Sequence, residues 1–282
     1  MIIEAGQVAV VTGAAQGLGC ALAAGLLARG VSVALADTAQ EQLRDTAEAF
    51  TARGGQVLPV VTDMADAAAV GALAAQTLAH FGRVDVVVNN AGIAAHHAWP
   101  LWQVDPADWR RVLEVNLLGA VHGIRAFVPH LVTAGAGHVV NIASLAGLMA
   151  GPFNSAYCAS KHAVVAISET LRAELDMMGL PIGVTVVCPG YVRTPLAEGM
   201  TTLLQTGADA QLAQNLPAGL SADQVEQMRT RLAAGLATMM EPDVAAERIL
   251  AAVEADQLYA LTHGDIEDGA RHRAEGIIAA LS

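Results

Sequence analysis

The segment SAYCASKHA (155–163) carries a phenol and an ammonium four residues apart, Tyr157 and Lys161. On a helix that spacing stacks the two side chains on one face, a turn from each other. Alone, Y-x-x-x-K is better read as a lysine covering an aromatic edge. As chemistry it is a proton-transfer pair. Free tyrosine titrates near 10, roughly three units too high for work at neutral pH, a deficit of about 4 kcal/mol. An ammonium about 4 Å away, at an effective dielectric of about 20, favours the phenolate by on the order of 4 kcal/mol.

A second candidate lies near the amino terminus, in TGAAQGLG (12–19), where Gly13, Gly17 and Gly19 surround Gln16 and Leu18. Glycines let the backbone approach a phosphate closely, and a helix starting there offers free N–H groups and a positive dipole end. Three glycines mean little by themselves. They gain meaning from Asp37, about twenty residues on, where a carboxylate accepts from the ribose hydroxyls of a dinucleotide.

Both candidates need elements to hold them, and the pattern supplies these. Apolar, β-branched runs recur at 7–12, 31–37, 56–63, 84–90, 137–144, 182–190 and 257–262, with helical stretches between them. Continuous rather than alternating apolar runs suit strands buried on both faces. Strand, helix, strand repeated this way predicts a doubly wound α/β domain with a parallel sheet of about seven strands and right-handed crossovers. The region 196–240 interrupts the pattern and reads as a lid or a small helical insert in a single domain spanning 1–282.

Composition narrows the function classes. Of 282 residues, 54% are apolar and 15% charged, with a net charge of -12, so a large core is available and no basic footprint for nucleic acid exists. No secretory signal is visible, and the longest apolar runs are strand-sized, which implies a cytoplasmic protein without membrane insertion. Cys20, Cys158 and Cys188 are scattered and odd in number, as expected of reduced thiols.

The glycine spacing is G-x-x-x-G-x-G preceded by threonine, and here the chain resembles the classical short-chain dehydrogenase/reductase family. NNAG (89–92), NIAS ending at Ser144, YCASK (157–161) and PGYVRT (189–194) match that family in order and spacing along nearly the whole chain. The resemblance implies a Rossmann-type domain that moves a hydride between a nicotinamide cofactor and a carbon bearing oxygen. Tyr157 is then the general acid/base, Lys161 also holds the nicotinamide ribose, Ser144 donates to the substrate oxygen, and Asn116 bends its helix and positions a water that links the lysine to solvent. The resemblance further assigns Asp63 and Met64 to the adenine, Asn90, Ala91 and Gly92 to the adenosine half, and Pro189, Gly190, Val192 and Thr194 to the nicotinamide end.

The cofactor choice rests on the residues themselves. A carboxylate at Asp37 binds a ribose hydroxyl but repels a 2′-phosphate, and neither Ala14, Ala15 and Gln16 nor Thr38, Ala39 and Gln40 adds a cation, so NAD is expected. The alternative is an NADPH-dependent carbonyl or 3-oxoacyl reductase, with a non-catalytic dinucleotide-binding protein a third reading. Substrate-lining candidates are Ser144, Leu145, Ala146, Met149, Phe153, Tyr157, Gly190, Tyr191 and the 196–240 segment, largely apolar, which favours a neutral, fairly hydrophobic secondary alcohol or ketone. His96 and His97 read as loop residues rather than metal ligands, and no metal is expected. Apolar surface on the helical segments 106–133 and 155–179, with a mean hydropathy of +0.45, calls for a covered outer layer. The family resemblance implies a homotetramer, with a dimer as the fallback.

Overall fold

The computed structural model describes residues 1–94, 100–197, 221–264 and 267–281. The seven apolar runs become β1 (Val8–Thr12), β2 (Ser32–Asp37), β3 (Val57–Val61), β4 (Val86–Asn89), β5 (Gly137–Ile142), β6 (Ile182–Cys188) and β7 (Tyr259–Leu261). All pair in parallel, in the order β3-β2-β1-β4-β5-β6-β7. The chain winds outward from β1 to β3, then returns to the other side of β1 with β4. That reversal leaves a crevice beyond the carboxyl ends of β1 and β4, where open α/β sheets bind ligands.

Strand alternation divides the core in two. Ala9 and Val11 of β1 face one layer with Leu22 and Leu26 of α1 (Gly17–Ala28), Phe50 of α2 (Gln40–Ala52) and Ile249 of α8 (Pro242–Glu254). Val10 faces the other, with Leu73 of α3 (Ala67–Phe81), Phe127 of α5 (Gly119–Ala134) and Leu171 of α6 (Ser155–Met177). Every residue of β1, β4 and β5 is buried, which is why their sequences run apolar without alternating. The edge strands differ: β3 contains Pro59, and Tyr259 and Leu261 of β7 are exposed.

The helical segment expected at 106–133 runs over Pro106–Ala134 but is not regular. Helix α4 (Pro106–Leu113) passes into a π-helical stretch, Glu114–Leu118, before α5. By length and mean hydropathy (1.3) this segment satisfies the requirement for a membrane span. Its contacts are those of a sheet-covering helix, since Phe127 and Leu131 are fully buried with Val87 of β4 and Val139 of β5. Within the 196–240 interruption the described residues form α7 (Ala222–Ala237); residues 198–220 lie outside the description. A last helix, α9 (Glu267–Ala279), follows β7.

Candidate active site

Thr12 ends β1 and fastens the neighbouring strand. Its Oγ1 accepts from the backbone N–H of Asn90 (2.9 Å) and Ala91 (3.0 Å). The Asn90 side chain returns the contact, donating to Thr12 O (2.7 Å) and Gly13 O (3.2 Å). Gly13 and Gly17 have φ of 64° and 57°, the left-handed region that glycine alone enters freely. Space is equally restrictive: a Cβ on Gly19 would sit 2.1 Å from Gly13 O and 2.5 Å from Asn90 Nδ2. The start of α1 therefore comes close against β1 and β4. Its first amides are capped by no side chain, and its first turn contains no acid.

The Asp37 carboxylate closes one end of this turn, accepting from Ala15 N and Ala39 N at 3.0 Å each. At the other end Thr194 packs against Gly17, its Cγ2 3.1 Å from where a Cβ would lie. Asp63 accepts from Ala65 N (2.9 Å) and stands 3.7 Å from Arg111 Nη1. Arg111 escaped the sequence reading; it sits on α4, far along the chain, with no motif to mark it.

A cleft of about 580 Å³ joins these groups to Tyr157 and Lys161. Every candidate cofactor residue lines it: Gly13, Gln16, Gly17, Leu18, Gly19, Asp37, Thr38, Asp63, Met64, Asn90, Ala91, Gly92, Tyr157, Lys161, Pro189, Gly190, Val192 and Thr194. So do Ser144, Leu145, Ala146, Met149 and Tyr191 on the substrate side. Phe153 does not. Its φ of 60° turns it into an adjacent cavity beside Trp102 and Trp109, separated from the cleft by Gly151 and Cys158, which line both. His96, His97 and Trp99 lie outside the described residues, among which no cluster of metal-ligating side chains occurs.

Tyr157 and Lys161 do share one face of α6, with Nζ 5.6 Å from the phenol ring centroid. The expected depression of the phenol is absent in the chain alone. Burial raises Tyr157 above its ordinary value, the Ser144 hydroxyl opposing it and Cys158 adding to it. The reason is where the ammonium points: Lys161 Nζ donates to Ile142 O (2.8 Å), is 3% exposed, and is itself lowered to about 8 by desolvation. Ser144 Oγ accepts from Ala146 N (3.1 Å), capping a short turn, and its hydroxyl is hydrogen-bonded to the Tyr157 phenol.

Asn116, 2% exposed, lies inside the π stretch behind the cleft rather than on its wall. Its Oδ1 accepts from Ile93 N (2.8 Å), and its Nδ2 donates to Ile93 O (2.9 Å) and Ser160 Oγ (3.0 Å). Ser160 Oγ in turn donates to Tyr157 O (2.7 Å). Asn116 thereby ties the segment after β4 to the backbone of the tyrosine. A Cβ on Gly92 would lie 3.4 Å from both Asn116 Oδ1 and Lys161 Nζ, so the two groups border the same small space.

The residues fit a nicotinamide dinucleotide: an uncapped helix start behind a glycine turn, a carboxylate at the ribose position, and an acid/base pair at the far end. The family described as short chain dehydrogenase matches residues 7–204. A 1-deoxy-11-beta-hydroxypentalenate dehydrogenase of Streptomyces exfoliatus is 40% identical over 215 residues, 76% of this chain and 78% of its own length. The crystal structure of a short-chain dehydrogenase/reductase from Burkholderia phymatum in complex with NAD superposes with a TM-score of 0.85 at 33% identity, covering 99% of this chain and 97% of that one. A metagenomic short-chain oxidoreductase in complex with NADP gives a TM-score of 0.70 at 30% identity over 92% and 98%. On this match of sequence and fold, the chain belongs to the short-chain dehydrogenase family, oxidoreductases that act on CH–OH groups with a nicotinamide dinucleotide.

Proposed function

We propose that this enzyme interconverts a secondary alcohol and a ketone with NAD, on a neutral and fairly hydrophobic substrate. The observation that carries the reading is the convergence of Ser144, Tyr157 and Lys161 on the cleft that the glycine turn and Asp37 also border. The bound nicotinamide supplies or accepts the hydride. The Ser144 hydroxyl donates to the substrate oxygen and holds it toward the phenol. Tyr157 Oη takes the alcohol proton in oxidation and returns one in reduction. Lys161, with Nζ 5.6 Å from the phenol ring centroid, brings positive charge near it and would hold the nicotinamide ribose. Asn116 keeps Tyr157 in register through Ser160 and borders, with Lys161, the space beside Gly92 that suits a proton-relay water.

NAD is favoured because Asp37 lines the cleft at the end of β2, where the ribose would lie, while Arg111, a cation on the cleft wall, is engaged with Asp63 instead. A carboxylate there repels the extra phosphate of NADP. The alternative, an NADPH-dependent carbonyl or 3-oxoacyl reductase, draws support from the NADP complex of a structural neighbour. Initial rates with each dinucleotide on a panel of secondary alcohols separate the two. A higher kcat/KM with NADP overturns the assignment. The lid expected at 196–240 lies largely outside the described residues, of which α7 stands behind Tyr191, in what we read as a cytoplasmic enzyme working as one domain. The outward faces of the π stretch, α5 and α6, with Leu118, Val132 and Ala166 exposed, are where a homotetramer (or a dimer) would close. Light scattering giving a monomer mass at full activity overturns that assembly.

A further inference from the structure

We propose that two glycines distant from all the motifs set the width of the substrate pocket: Gly269 of α9, by seating Met149, and Gly235 of α7, by seating Tyr191. This rests on the substrate-site reading above, since Met149 and Tyr191 both line the cleft on the Ser144 side. A Cβ on Gly269 would stand 2.5 Å from Met149 Sδ and 2.6 Å from its Cε. A Cβ on Gly235 would stand 2.4 Å from Tyr191 Cε2 and 3.0 Å from Cδ2 and Cζ. Real side chains do not approach so closely. Each helix thus presents a notch into which a pocket side chain withdraws, and any larger residue in the notch drives that side chain out. The thioether is unbranched and flexible, so it swings toward the open cleft.

Residues flanking the two helices are fastened to the cleft wall. Met240, just after α7, donates its N–H to Tyr191 O (2.9 Å) and accepts from Arg193 N (2.9 Å). Ahead of α9, Thr262 Oγ1 accepts from Gly190 N (3.2 Å) and pairs with His263 Nδ1 (2.7 Å), while the His263 ring packs against Gly190. Thr262 and His263 are therefore docked behind Gly190, which itself lines the cleft. With both notches filled by Met149 and Tyr191, the pocket accommodates an alcohol carrying a bulky apolar group next to the carbinol carbon. With either notch blocked, it accepts only small ones.

The test compares Gly269→Ala, Met149→Ala and the double variant with the unmodified enzyme. The readouts are NAD reduction by propan-2-ol and by 1-(2-naphthyl)ethanol, and a crystal structure of Gly269→Ala. The ratio of kcat/KM for the large over the small alcohol is expected to fall roughly tenfold in Gly269→Ala, to rise in Met149→Ala, and to match Met149→Ala in the double variant. A ratio within about twofold of the unmodified enzyme in Gly269→Ala overturns the proposal. The crystal structure should show Met149 turned into the cleft with α9 in place; an unmoved Met149 beneath a displaced α9 also overturns it. If neither alcohol is oxidised with NAD or NADP, the reaction reading fails, and the position of Met149 still decides the notch.

Discussion

The two walls of the cleft are built by different means. The cofactor wall comes from β1, β2 and β4 and the turns that follow them. Its parts are fixed by backbone: Gly19 lies against Gly13 O, Asp37 accepts from Ala15 N and Ala39 N, and Thr12 and Asn90 bind each other's strands. The substrate wall includes Met149 and Tyr191, side chains that rest on glycines of α9 and α7 behind it. A backbone-built wall tolerates no change of shape and suits a ligand that never varies. A wall of seated side chains is re-cut by single substitutions, which suits a substrate that differs from one family member to another.

The junction of the walls carries the largest expected effect. Tyr157→Phe should lower kcat by about 10³-fold or more while dinucleotide affinity, followed by fluorescence titration, stays within about threefold. Lys161→Ala should damage both, because in the proposed mechanism that side chain serves the ribose as well as the phenol. Near-normal turnover in Tyr157→Phe across a broad pH range would remove the phenol from the mechanism. Next comes the ribose corner. Asp37→Ala with Thr38→Arg should raise the NADP/NAD ratio of kcat/KM by roughly 10²-fold, since repulsion is removed and a phosphate partner added. An unchanged ratio would show that the cofactor wall does not discriminate there.

Glycine substitutions test the contrast directly. Gly19→Ala meets a carbonyl that cannot give, and should cost about 3 kcal/mol and roughly 6–10 °C of Tm. Gly269→Ala meets the mobile end of a methionine and should shift Tm by no more than about 2 °C. Equal losses in differential scanning calorimetry would erase the distinction between the walls.

The smallest effect on the cleft belongs to His138, fully buried near the start of β5, away from both walls. Burial lowers it to about 4, the Asp256 carboxylate only partly opposing. The folded value lies below the ordinary 6.5. The unfolded chain therefore binds more protons between those values, and stability is full above pH 6.5 and lost as pH falls through 4. His138→Gln, which keeps a donor for Thr185 Oγ1, should flatten that loss by about 2–3 kcal/mol in denaturant titrations while leaving kcat unchanged. An identical acid-side slope in the variant would show that another group unfolds the protein.

The fold was legible because strands buried on both faces must be continuously apolar, and seven such runs alternate with helical stretches in the chain. The glycine turn, Asp37 and the Tyr157–Lys161 pair were legible for a related reason. The turn and the pair are each short enough for local backbone periodicity to bring their members together, and Asp37 follows from the pairing of β1 with β2. The direction of the Tyr157 shift was not, because the lysine's distance and its bond to Ile142 O depend on how α6 settles on β5. Nor was the exclusion of Phe153 from the cleft, which follows from a left-handed turn at a residue that is not glycine.

By itself the sequence determined the parallel sheet and its crossovers, and local spacing alone put the glycines of 13–19 in one turn and Tyr157 and Lys161 on one helix face. Only the tertiary structure decided that Asn116 reaches Tyr157 through Ser160, that Arg111 stands against Asp63, and that Gly235 and Gly269 lie under Tyr191 and Met149. Those meetings join residues about 44 to 120 positions apart. Close packing selects such pairs by shape, one void against one side chain, and shape at that range leaves no periodic trace along the chain.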